Sequence, residues 1–193
     1  MRKNMMKILA ITLLSVIAPL AEAHTGIAQH GLASGLAHPF LGLDHLLAMV
    51  AVGIWAGSLG GKASWRIPLA FIAIMSVSAL LSQGLMSMPL IESGIAVSLL
   101  LLGLFIVLAV KLPVVMGMLV VSLFAIFHGV AHGVEWPVAA SPFWYVSGFV
   151  IATSLLHAVG VMAGASRNDL SQLFVRLTGV LIATTGGFML LAS

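Results

Sequence analysis

The chain has 193 residues, of which 61% are hydrophobic and 7% charged, with a formal net charge of +3 and no cysteine. Soluble domains carry roughly 25% charged residues, so composition excludes an ordinary soluble fold and leaves an integral membrane protein built as a single unit. The missing cysteines exclude disulfides and thiolate metal sites. No basic stripe interleaved with aromatics points to nucleic acid.

Arg2, Lys3 and Lys7 form a positive head, Ile8 to Leu20 a short apolar stretch, and Ala21-Glu22-Ala23 a small-x-small cleavage site. This pattern predicts a signal peptide over residues 1–23, with His24 as the mature N-terminus. A free terminal amine beside the His24 imidazole would form a chelating pair. A membrane helix needs about 20 apolar residues. The remaining sequence offers six such stretches, near Pro39–Leu59, Arg66–Met86, Leu90–Val110, Leu112–Val130, Pro142–Gly164 and Leu170–Ala192. The expected fold is therefore an all-α, six-helix transmembrane bundle over residues 24–193. Pro39, Pro113 and Pro142 sit near expected helix starts, where a missing N–H does no harm. Gly53 and Gly57, Gly94 and Ser98, and Gly160 and Gly164 have the small-xxx-small spacing that permits close helix approach.

Charge fixes the expected orientation. With His24 outside, Lys62, Arg66, Lys111, Arg167 and Arg176 all fall on the cytoplasmic side, while Glu92 and Glu135 fall on the other. That matches the positive-inside rule. It predicts a multi-pass protein of the bacterial inner membrane with both mature termini periplasmic.

Against this apolar background two polar clusters stand out. His38-Pro39-Phe40-Leu41-Gly42-Leu43-Asp44-His45 opens the first span, and His128, His132 and Glu135 lie at the edge of the fourth. An Asp at a helix centre costs about 2.5–3.5 kcal/mol on insertion scales, so such groups need a use. His128 and His132 are one turn apart on one helix face, with Glu135 close to it. Imidazole and carboxylate together suit a divalent transition metal. His38 and His45 pose a geometric problem: in a continuous helix they would stand roughly 10 Å apart along the axis. Either the chain is not helical from His38 to Gly42, which Pro39 and Gly42 permit, or the two residues serve successive sites. Asp44 is expected as a ligand or as a group that orients an imidazole through its ring N–H. His157, in the fifth span, is a candidate station on an ion pathway, and His24 and His30 are candidates for capture outside. Met49, Met116 and Met118 are read as packing. No nucleophile elbow or phosphate-binding loop is present.

The His-Pro-x-x-Gly-x-Asp-His stretch at His38–His45, followed by Met49 and Gly53, resembles the HupE/UreJ family of nickel and cobalt transport proteins. Phe127–Glu135 is similar to that family's second block. The resemblance implies passage of Ni2+, or Co2+, across the inner membrane for hydrogenase or urease maturation. It carries metal-handling roles onto His38, Asp44, His45, His128, His132 and Glu135. The ion is cargo, and no catalytic cofactor is expected. Expected partners are the ion, the bilayer and maturation proteins, with a homo-oligomer left open. Two other readings stay open at this point: a membrane-embedded metallohydrolase with Glu135 as base, and a metal-binding accessory protein that conducts nothing.

Overall fold

The computed structural model describes residues 27–82, 89–135 and 141–192. The expected signal segment and His24 lie outside the described residues, as does the side chain of His30. The described residues form seven helices and no strand: α1 Ile27–Leu41, α2 Leu43–Leu59, α3 Ala63–Leu81, α4 Pro89–Val107, α5 Val114–Val134, α6 Pro142–Ala165 and α7 Asp169–Ala192. The last five are long and apolar enough to cross a membrane. α1 and α2 form one broken pair, bent by 83°.

This break corrects the expected start of the first span. Pro39 does not begin the long helix; it lies inside the last turn of α1. The discontinuity falls at Gly42, whose extended backbone (φ −100°, ψ 120°) precedes α2. Tertiary packing explains why the local proline signal misleads. α1 lies against α6, and a Cβ on Gly35 or Gly148 would overlap the facing backbone of Tyr145 or Leu32. Burial of this small-residue face holds α1 helical through a proline that would otherwise be read as a boundary.

α2 is the centre of the molecule. It contacts α1, α3, α4, α6 and α7, and from Ala51 to Gly57 every residue is buried. A helix apolar on all sides is stable only in such a position. Its closest neighbour is α6. Added Cβ atoms on Gly53 and Gly57 would strike the carbonyls of His157 and Val161, and those on Gly160 and Gly164 the carbonyls of Val50 and Ile54. The small-residue spacing of these four glycines therefore serves backbone-to-backbone packing. α4 pairs with α7, and α3 with α5.

The two ends of the bundle differ in charge. Gly60 and Gly61, both with positive φ, turn α2 into α3 beside Lys62. Gly60, Lys111 and Arg167 line one cavity at this end, and Trp55 Nε1 donates to the Val110 carbonyl at 3.0 Å, tying α2 to the loop that carries Lys111. Asp44, Glu92 and Glu135 line a cavity at the opposite end.

Close packing makes a stability prediction. Gly160→Leu should lower the thermal midpoint of the detergent-solubilised protein, by about 1–3 kcal/mol of overpacking. Gly187 has no atom within 4 Å of a built Cβ, so Gly187→Ala should leave the midpoint unchanged or raise it slightly. Thermal unfolding followed by circular dichroism measures both.

Candidate metal site

The bend at Gly42 places the last turn of α1 and the first turn of α2 together, facing the C-terminal turns of α5. His38 belongs to α1, Asp44 and His45 to α2, His128 and His132 to α5, and Glu135 caps α5. A continuous helix would have kept His38 and His45 apart. The break brings their ring centroids to 6.0 Å. The His132 ring lies 4.6 Å from each of them, stacked on His45. One ligand nitrogen from each of His38, His45 and His132 falls within 4.8 Å of the others. Nitrogens on opposite sides of an ion bound at about 2.1 Å would stand about 4.2 Å apart, so small side-chain shifts close this set around one ion.

Burial and hydrogen bonding sharpen the picture. His132 is fully buried and stacks on Phe149 at 5.2 Å. Neither of its ring nitrogens has a hydrogen-bond partner among the described residues. An unsatisfied buried polar group costs about 1–3 kcal/mol, which an ion would offset. His38 Nε2 lies 3.2 Å from Glu135 Oε2, within ion-pair range but off the line of a well-directed hydrogen bond. The interaction with His38 holds the Glu135 carboxyl below the usual carboxylate range, against the opposing effect of partial burial. Asp44 and His45 open onto a cavity of about 260 Å³ whose other acidic walls are Glu92 and Glu135. Three carboxylates thus share a cavity with His45, one of the three clustered imidazoles.

His128 is placed differently from its neighbour one turn along. Its ring packs behind His45, with Nδ1 of each 3.1 Å apart, and its Nε2 lies 3.0 Å from Ser98 Oγ on α4. His157 is remote from the cluster. The ring of Phe71 stands between, 5.7 Å from His128 and 5.5 Å from His157. His157 and its neighbour one turn back, Thr153, are buried, and among the described residues neither ring nitrogen nor the hydroxyl has a hydrogen-bond partner. Met49 is core, as expected, while Met116 is 49% exposed on the outer face.

Three residues beside the cluster carry little signal in the sequence. Glu92 is one of four acidic residues beyond position 23, and that scarcity is the signal that could join it to the cluster. Ser98 has only the spacing of a packing residue, and Phe71 carries no signal at all.

Residues 11–190 match the family described as HupE / UreJ protein. The chain is also 40% identical over 181 residues to the protein named Protein HupE from Rhizobium leguminosarum bv. viciae, a match covering 93% of this chain and 95% of that relative. No solved structure matches it. A family match over nearly the whole chain, with a relative covered over 95% of its length, makes this a transport or accessory protein rather than an enzyme and sets aside the metallohydrolase reading. With its multiple apolar helices and its broken, histidine-bearing first pair, the chain belongs to the HupE/UreJ family.

Proposed function

We propose that the protein is a permease for a divalent transition metal, Ni2+ or Co2+, that crosses the bacterial inner membrane six times and supplies metalloenzyme maturation. The observation that carries this reading is the convergence of His38, His45 and His132, with one ligand nitrogen from each inside 4.8 Å. Three imidazoles suit a nickel- or cobalt-like ion better than magnesium, which prefers oxygen. The acidic end, with Asp44, Glu92 and Glu135, faces the periplasm in this account, and the end with Lys111 and Arg167 faces the cytoplasm, as the positive-inside rule requires.

The carboxylates at the mouth raise the local concentration of divalent cations. Asp44 and Glu135 supply oxygen contacts as the ion sheds water, and the three imidazoles replace the rest of its hydration shell. His128 stands behind them. Past Phe71, the ion reaches His157. Ligands spread over successive weak stations allow release as well as entry. His24, as a mature N-terminus produced by cleavage after Ala23, contributes an outer capture point. The accessory-protein reading gains from the closed packing of Phe71 and Phe149 around the cluster, and transport separates the two.

Uptake of radioactive nickel by cells or liposomes carrying the protein should fall to background in His132→Ala and His45→Ala, with protein still present in the membrane. Lys62→Ala should change topology or amount instead. Wild-type uptake by His132→Ala contradicts the reading. Binding without uptake by the unsubstituted protein favours the accessory role.

The pH dependence has a definite sign. Metal binds neutral imidazole, so protons compete with it as pH falls through about 6.5, the unperturbed histidine value. The Glu135 carboxyl is held below its usual range, so it stays ionised over the same interval. Nickel affinity of the solubilised protein should therefore fall as pH is lowered from about 7.5 to about 4.5. Constant affinity down to about pH 4.5 would assign binding to the carboxylates.

A further inference from the structure

We propose that Ser98 and His128 are positioning residues that fix the tautomer of His45 so that its Nε2 lone pair is the one offered to the ion. The inference rests on the metal-site reading above and adds to it the coordinating atom and the device that selects it.

Ser98 Oγ lies 2.7 Å from the Ile95 carbonyl oxygen and 3.0 Å from His128 Nε2. A carbonyl oxygen cannot donate, so the shorter contact takes the single hydroxyl hydrogen of Ser98. Were that hydrogen turned toward His128, two oxygen lone pairs would face each other at 2.7 Å. Ser98 therefore accepts from His128, and His128 carries its proton on Nε2. A neutral imidazole has one N–H and one lone pair, so His128 Nδ1 is an acceptor. It lies 3.1 Å from His45 Nδ1, which then must donate. His45, neutral in turn, is left with a lone pair on Nε2. No hydrogen bond among the described residues engages that atom, and His45 lines the cavity beside Asp44.

The anchoring half of this relay is enclosed. Ser98 and His128 are 0% exposed, so water does not compete for the donors and acceptors that set it. A ligating histidine in a metal site commonly donates its second ring N–H to a fixed acceptor. Here the acceptor is a second imidazole, itself anchored to a helix carbonyl through a hydroxyl. The arrangement also explains why His128, one turn from His132, is not in the ligand cluster: both of its nitrogens are already committed.

The test is nitrogen NMR on the full chain labelled with 15N-histidine, first metal-free at about pH 8, above the unperturbed imidazole value of about 6.5, then with Zn2+ as a diamagnetic probe. Expected are an Nδ1–H tautomer for His45 and an Nε2–H tautomer for His128. Zn2+ should then produce coordination shifts at His38, His45 and His132, with the His128 Nε2–H retained. Ser98→Ala should convert His128 and His45 to tautomer mixtures and weaken Zn2+ and Ni2+ binding on the order of 10–100-fold. Ser98→Thr, which keeps the hydroxyl and its helix back-bond, should restore both. The tautomer measurement is made on the unsubstituted chain and so stands whether or not a variant folds. A His45 Nε2–H tautomer, or a coordination shift on His128, overturns the proposal. The expected tautomers in a protein that binds neither Zn2+ nor Ni2+ overturn the metal-site reading instead, so the two failures are distinguishable.

Discussion

The break at Gly42 governs the arrangement of everything around it. The chain bends by 83° there, and that bend turns a seven-residue separation between His38 and His45 into a shared site. Glycine is needed for space rather than for backbone freedom, since φ −100° and ψ 120° are open to any residue. A Cβ at this position would lie 2.7 Å from Asp44 Oδ1 and 2.9 Å from His45 Cδ2. The side chains that would have to move are therefore Asp44 and His45 themselves. The bend is held from outside by α1 against α6, and by α2 buried among five other helices.

Burying imidazoles in an apolar bundle is costly unless their nitrogens are engaged. The molecule meets that constraint in two ways. His128 is satisfied internally by Ser98 and His45. His132 and His157 are left with no hydrogen-bond partner among the described residues. This contrast separates a ring whose two nitrogens are engaged from rings whose nitrogens are not. Charge follows the same division: carboxylates gather around the histidine end, and Lys111 and Arg167 share a cavity at the other.

Much of this was legible in the residues. Apolar length located five helices to within about five residues, and the glycine pairs Gly53/Gly57 and Gly160/Gly164 did mark a close crossing. The motif residues His38, His45 and His132 could be picked out because ionisable groups are rare in such a chain. Other features were hidden for identifiable reasons. Pro39 gave a correct local signal that packing of α1 on α6 overrode. The i, i+4 spacing of His128 and His132 suggested equal roles, because periodicity reports a shared face but not which ring nitrogen is already bonded. Ser98 is 30 residues from His128 in sequence, and no local pattern announces a contact between α4 and α5.

The central claim is that one ion is held by His38, His45 and His132 together. X-ray absorption at the nickel edge, on the full chain loaded with one equivalent of Ni2+ near neutral pH, tests it most directly. The account predicts multiple-scattering features of three imidazoles per nickel, with oxygen completing the coordination sphere. A spectrum fitted by oxygen alone, or by a single imidazole, would contradict it.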